Sequence, residues 1–154
     1  MSIKPVVKWA GGKRQIVDKL IEYMPTNYNK YYEPFVGGGA LLFTIMPQIA
    51  IINDINEELL AIYESLSDDI LFNNMLGALK NHELHHSEEY YYKIRELDRH
   101  KDFYQLPIWQ RAARTIYLNK TCFNGLYRVN SRGFFNVPSA KKIKLIHMIM
   151  KTFY

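Results

Sequence analysis

Three consecutive glycines, Gly37-Gly38-Gly39, stand between two stretches of strand-forming residues, and this arrangement constrains the fold more than any other feature of the chain. Tyr31 to Phe35 reads as a short strand entering the glycines. Ala40 to Ile45 reads as a short helix leaving them, closed by Pro47. Ile49 to Ile52 reads as a buried strand of β-branched residues that ends at Asn53-Asp54. Together they make one β-α-β unit, whose crossover is right-handed. Two parallel strands alone make a poor domain, because parallel sheets are normally covered on both faces and have more strands. The expected class is therefore α/β with an unfinished sheet, which points to a missing partner or a missing C-terminal half.

The flanking segments read as helices. In Gly12 to Met24 the apolar residues Ile16, Val17, Leu20, Ile21 and Met24 recur at helical spacing, and Pro25 and Asn27 end the pattern. Asn56 caps the next helix, with Glu57 and Glu58 in its first turn where the helix dipole favours negative charge. Asp68 to Leu84 and Ser87 to Asp98 are predicted as two polar helices. Pro107 starts a third, in which Ile108, Trp109, Ala112, Ala113, Ile116 and Tyr117 form an apolar stripe and Arg111 and Arg114 point elsewhere. Leu126 to Val137 is predicted as a β-hairpin turning at Asn130-Ser131-Arg132-Gly133, with glycine supplying a positive φ. Lys141 to Tyr154 is a basic-apolar segment, in which Ile143 to Met150 with its flanking lysines is expected to dock on protein rather than lie on a membrane.

At 154 residues the chain suits one domain. Its charge is unevenly spread: residues 1–100 hold 10 Lys/Arg and 14 Asp/Glu, whereas residues 101–154 hold 10 Lys/Arg and one acid, Asp102. Such asymmetry suggests a polyanion partner for the C-terminal third, although a solvated basic face would look the same. The single cysteine, Cys122, fits a reducing, cytoplasmic setting. Met1 to Ala10 has no long apolar run of a signal peptide, and no stretch approaches the roughly 20 apolar residues of a membrane span. His82, His85 and His86 lack a completing ligand, so no metal is expected and a solvated helix end is the reading. Tyr90-Tyr91-Tyr92 reads as core packing with one exposed ring.

Three clusters carry chemistry. In Lys8-Trp9-Ala10-Gly11-Gly12-Lys13, two glycines before a helix free backbone N–H groups for an anion, Lys13 adds a charge, and Trp9 offers a flat face. The same residues also suit a tight turn with a core tryptophan. In Glu33-Pro34-Phe35-Val36-Gly37-Gly38-Gly39-Ala40, glycines at a strand-to-helix turn let a ligand approach the backbone. Asn53-Asp54 closes the second strand, where a carboxylate can accept from two ribose hydroxyls. The dinucleotide pattern fails, because Leu42 stands where its last glycine belongs, and this argues against a nucleotide-dependent oxidoreductase.

These clusters, with Asn124-Gly125-Leu126-Tyr127-Arg128-Val129-Asn130 and Phe135-Asn136-Val137-Pro138, resemble the Dam-type (D12 class) adenine-N6 DNA methyltransferases, most closely those acting at GATC. The resemblance runs from residue 7 to about 138. It implies an incomplete Rossmann-like fold that binds S-adenosylmethionine, with an inserted, mostly helical target-recognition region containing the hairpin. It also implies methyl transfer to adenine without a metal. On this reading residues 1–56 begin the cofactor domain, residues 57–138 recognise DNA, and residues 139–154 form a divergent or truncated tail; a soft boundary falls near 56–66. Trp9, Lys13, Phe35, Gly37, Gly39 and Asp54 match cofactor contacts. Lys8, Asn124, Leu126, Arg128, Asn130 and Pro138 match base-reading elements of a double-stranded DNA partner, and Phe123 matches an aromatic near the flipped base. Arg128 has the donors to grip guanine O6 and N7.

Two departures stand out. The family orients the target amine with Asp or Asn followed by two prolines and an aromatic, but no two prolines are adjacent here. Ser139-Ala140 also replaces the family's aromatic and glycine. No catalytic residue is therefore assigned, and the chain is expected to be a truncated, inactive N-terminal part awaiting a C-terminal half. The alternative is a non-catalytic DNA-binding module or one half of a split enzyme.

Overall fold

The computed structural model describes residues 5–140. Its order is α1 (Val17–Glu22), β1 (Tyr31–Glu33), α2 (Ala40–Ile45), β2 (Ala50–Ile52), α3 (Glu57–Ser67), α4 (Asp69–Leu84), α5 (Glu88–Glu96) and α6 (Ile108–Thr121), joined by loops and short 3-10 turns. β1 and β2 pair in parallel, with Tyr31, Tyr32 and Glu33 opposite Ala50, Ile51 and Ile52. The predicted β-α-β unit is thus present as a two-stranded sheet.

The helix starts follow their caps. Asn56 Oδ1 accepts from Leu59 N at 3.1 Å, Asp68 Oδ1 accepts from Ile70 N and Leu71 N at 2.9 Å each, and Ser87 Oγ accepts from Tyr90 N at 3.0 Å. Each satisfies N–H groups that a helix start leaves orphaned. The main core lies where α6 packs on α3, α4 and α5. Leu59, Ile62, Met75, Leu79, Tyr91, Ile116 and Tyr117 fill it, joined by Val6 and Val7 from the N-terminal segment. A smaller cluster of Val17, Tyr31 and Leu41 ties α1 and α2 to the sheet.

Several expectations need correction. The first helix is shorter than Gly12–Met24: a 3-10 turn at Lys13–Gln15 precedes α1. The first strand stops at Glu33, before Pro34, which has no N–H to offer. The second strand is not buried: Ile49 is 51% and Ile51 45% exposed, because no further strand or helix covers that side among the described residues. The two "polar" helices are amphipathic, α4 burying Met75, Leu76 and Leu79 and α5 burying Tyr91 and Ile94. Arg111 and Arg114 do not escape to solvent. Arg111 pairs with Glu58, and Arg114 pairs with Asp98 at 2.9 Å with its own side chain 4% exposed. The tyrosine triplet presents no exposed ring, since Tyr91 is buried and Tyr90 and Tyr92 are half-buried. Lys141 to Tyr154 lies outside the described residues. Among the described residues no helix is long and apolar enough to cross a membrane, and no three His, Cys, Asp or Glu side chains group to hold a metal.

His82 and His86 are packed against tyrosines, whereas His85 is exposed as expected of a helix end. His82 Nδ1 lies 2.8 Å from the Tyr90 hydroxyl and its ring stacks on Tyr117, while His86 Nδ1 lies 2.6 Å from the Tyr117 hydroxyl. Burial, then the nearby charges of Arg114 and His85, lower the His82 pKa from 6.5 to about 4. The folded state therefore holds His82 neutral while the unfolded chain protonates it near pH 6.5. Its contribution to stability is complete above that value and is lost as pH falls toward 4, amounting to about 2–3 kcal/mol. Urea unfolding at pH 7 and pH 4.5 should show this loss. It should be clearly smaller in His82→Gln, and an equal loss in both proteins would refute the assignment.

Candidate cofactor and nucleic-acid site

Strand β1 delivers Glu33 to the edge of the glycine turn. Its side chain is buried, with the Tyr31 hydroxyl beside the carboxylate. Lys13 Nζ answers its charge from 3.0 Å and also donates to the Phe35 carbonyl. Phe35 itself is 74% exposed. Sequence reasoning passed over Glu33 because an acid beside a proline carries no mark of burial; its position at the strand end was the available signal.

Asp54 holds the glycine turn to the second strand. One carboxylate oxygen accepts from Gly37 N at 2.8 Å and the other from Asn56 N at 3.0 Å. Each carboxylate oxygen keeps further acceptor capacity. Tyr63, on α3, donates its hydroxyl to the Gly37 carbonyl at 2.7 Å. Burial, then the Glu33 and Asp54 carboxylates, push that phenol well above its ordinary pKa. Two glycines are dictated by geometry. At Gly39, with φ +76°, a Cβ would sit 2.7 Å from the Tyr63 hydroxyl oxygen; at Gly37, with φ +52°, it would meet the Trp9 ring at 3.4 Å. The glycine run thus admits the protein's own side chains as well as leaving backbone exposed. Trp9, Lys13, Phe35, Gly37, Gly39 and Asp54 converge at the C-terminal ends of β1 and β2.

The predicted hairpin is a closed loop with little strand pairing. Its base is zipped by Phe123 N donating to Pro138 O at 2.9 Å and Ala140 N donating to Thr121 O at 3.0 Å. Within it, Val129 and Phe135 form a single antiparallel bridge. The expected turn is present: Gly133 has φ +82° and its N–H donates to Asn130 O at 2.9 Å. The ladder stops there because Asn130 Oδ1 accepts from Arg132 N and Phe134 N, and side chain replaces strand as backbone partner.

The two limbs differ in burial. Phe135 and Val137 on the return limb are each 2% exposed. Tyr91 donates its hydroxyl to Val137 O at 2.8 Å, Phe135 N donates to Asp98 Oδ2 at 2.7 Å, and Arg99 donates to Phe135 O at 3.2 Å. The outbound limb faces solvent: Phe123, Asn124, Leu126 and Arg128 are exposed, as is Pro138 at the base. Arg128 donates through Nε to Asn136 Oδ1 at 2.9 Å, which leaves its two terminal guanidinium nitrogens without a side-chain partner among the described residues. Asn130 sits apart from the other candidates, at the tip, with its side-chain carbonyl spent on the turn. Lys8 is exposed and lies against Gly125. Cys122 is buried beneath the loop, its thiol donating to Leu126 O at 3.1 Å, and burial raises its pKa to about 11.

Residues 9–149 match the family model for D12 class N6 adenine-specific DNA methyltransferases. The chain is 44% identical over 138 residues to the Type II methyltransferase M1.LlaDCHI of Lactococcus lactis subsp. cremoris, covering 90% of this chain and 48% of that protein. It is 43% identical over 152 residues to the Type II methyltransferase M.MjaIII of Methanocaldococcus jannaschii, covering 90% of this chain and 52% of that one. Against the DNA adenine methylase of Escherichia coli K12 the identity is 33% over 135 residues, covering 86% and 46%. The chain spans about half the length of these curated relatives. With its glycine turn, its acids at the strand ends and its propped loop, the chain belongs to the D12 class N6 adenine-specific DNA methyltransferases.

Proposed function

We propose that this chain supplies the S-adenosylmethionine pocket and the DNA-reading loop of an adenine-N6 methyltransferase acting at GATC, within an incomplete Rossmann-like fold carrying an inserted recognition region. The observation that carries this reading is the buried Glu33 carboxylate, ion-paired with Lys13 at 3.0 Å where the first strand runs into the glycine turn. A ligand with an amino-acid end brings both an ammonium and a carboxylate, and this pair offers an acceptor for the one and a cation for the other. When bound, S-adenosylmethionine supplies an electrophilic methyl group on its sulfonium.

The chain's own residues do the rest of the binding. Trp9 and Phe35 give apolar faces, Gly37 and Gly39 shape the turn, and Asp54 accepts from ribose hydroxyls with the capacity its two backbone donors leave. On the DNA side Lys8 and Arg128 bring charge and bidentate donors, Asn124 and Asn130 bring amides, and Leu126, Phe123 and Pro138 bring apolar contact. Phosphate contacts fix position and base contacts fix sequence. A non-catalytic DNA-binding module remains the second reading, favoured by the intact loop in a chain with no adjacent prolines.

Binding tests the proposal. The pure chain should bind S-adenosylhomocysteine, and it should prefer a GATC duplex to a scrambled one, with affinity falling as salt rises. Arg128→Ala should reduce that preference about tenfold, the value of one bidentate base contact, while leaving S-adenosylhomocysteine binding intact. An unchanged preference would remove Arg128 from base reading. Failure to bind S-adenosylhomocysteine would sink the cofactor half of the proposal.

A further inference from the structure

One residue outside both candidate sites holds the backbone at the point where they adjoin. Asn119, near the end of α6, is 2% exposed. Its Oδ1 accepts from Lys8 N at 2.9 Å, and its Nδ2 donates to Lys8 O at 2.9 Å and to Gly125 O at 3.0 Å. The side-chain amide therefore closes on the Lys8 backbone from both sides, as a neighbouring strand would, and reaches the DNA-side loop with the same nitrogen. A second bridge runs alongside: Trp9 packs on Tyr127 with ring centroids 4.5 Å apart, and it also lies against Gly37 and Gly38. A third contact tightens the joint. The Lys8 stem covers Gly125, where a Cβ would come within 2.9 Å of Lys8 Cδ.

These contacts tie Lys8-Trp9 to Gly125-Leu126-Tyr127. Ordering one segment orders the other, so a ligand that fixes either side meets part of the ordering cost of the second. Resting on the function proposed above, we infer that Asn119, with the Trp9–Tyr127 stack beside it, is the positioning element through which cofactor and DNA favour each other's binding. Asn119 touches neither ligand. It acts by holding the Lys8 backbone, which carries a DNA-side lysine at one position and a cofactor-side tryptophan at the next.

The test is a coupling cycle on the full 154-residue chain, measuring the affinity of a fluorescent GATC duplex with and without saturating S-adenosylhomocysteine. In the unaltered chain S-adenosylhomocysteine should tighten DNA binding about fivefold or more, and DNA should tighten S-adenosylhomocysteine by the same factor, as linkage requires. Asn119→Ala should bring that factor close to one while both ligands still bind. Tyr127→Leu, which removes the stack and spares the amide, should lower it as well, and it decides the matter if Asn119→Ala does not fold. A merely structural role for Asn119 would weaken each ligand and leave the factor unchanged, which overturns the inference. Binding of both ligands without reciprocity in the unaltered chain overturns it too and leaves the proposed function standing. Failure to bind either ligand overturns both.

Discussion

No labelled methyl group is expected to pass from S-adenosylmethionine to a GATC duplex when the 154-residue chain is assayed alone, even at single-turnover concentrations. Transfer to an exocyclic amine requires the flipped base to be held in line with the methyl donor, by acceptors placed for the reacting geometry. The family resemblance assigns that task to an acid or amide followed by two prolines and an aromatic. The prolines of this chain are Pro5, Pro25, Pro34, Pro47, Pro107 and Pro138, and none adjoins another. Well-oriented groups contribute many orders of magnitude to rate, so the expected deficit is complete and not partial. Transfer above that to a duplex lacking GATC would show that other residues orient the amine, and would refute the account of catalysis. The binding experiments above are independent of this outcome.

Asp98→Ala should be the most damaging single substitution among the polar residues. Asp98 and Arg114 meet at 2.9 Å with side chains 9% and 4% exposed, so deleting the acid strands a guanidinium with little access to water. Breaking such a pair from one side costs about 3–5 kcal/mol, and in a chain of this size that lowers the melting temperature by roughly 6–20 °C. Asp98 also accepts from Phe135 N at 2.7 Å and binds Arg99, which holds the Phe135 carbonyl. Loss of the carboxylate therefore frees the buried return limb of the reading loop. GATC preference should fall even at temperatures where the protein remains folded, and S-adenosylhomocysteine binding should change little. Asp98→Asn keeps shape and one acceptor, and should fall between the two. Calorimetry with duplex binding on each variant checks this; equal stability in all three would contradict the burial argument.

The features legible in the sequence were those governed by near neighbours. Asn56, Asp68 and Ser87 mark helix starts because a cap acts within three residues, and the turn at Asn130–Gly133 follows from one asparagine and one glycine. Of the stripe from Ile108 to Tyr117, Ala112, Ala113, Ile116 and Tyr117 are buried and Ile108 and Trp109 half-buried against the core. What was missed depends on distant partners. Ile49 and Ile51 have the composition of a buried strand, but burial needs a covering layer that residues 5–140 do not provide. Arg114 reads as a surface charge until the α5 carbonyls and Asp98 are brought against it. Asn119 pairs with Lys8 across 111 positions, and an asparagine late in a helix carries no sign of that bond. For the candidate site, the glycine turn and Asp54 were visible as motifs, whereas Glu33 gained importance only through its burial against Lys13, twenty positions away.

The position of Cys122 has a consequence for how this protein can be watched. It is the chain's one thiol, shielded where the reading loop rejoins α6, with its proton held by a carbonyl of that loop. Reaction with an electrophile needs the thiolate and a path to it, and the closed loop denies both. Labelling is therefore gated by the loop lifting from the helix, and its rate is a clock for that opening. The molecule carries its own reporter at the joint where DNA reading begins, with no added dye and no second cysteine to confuse the count.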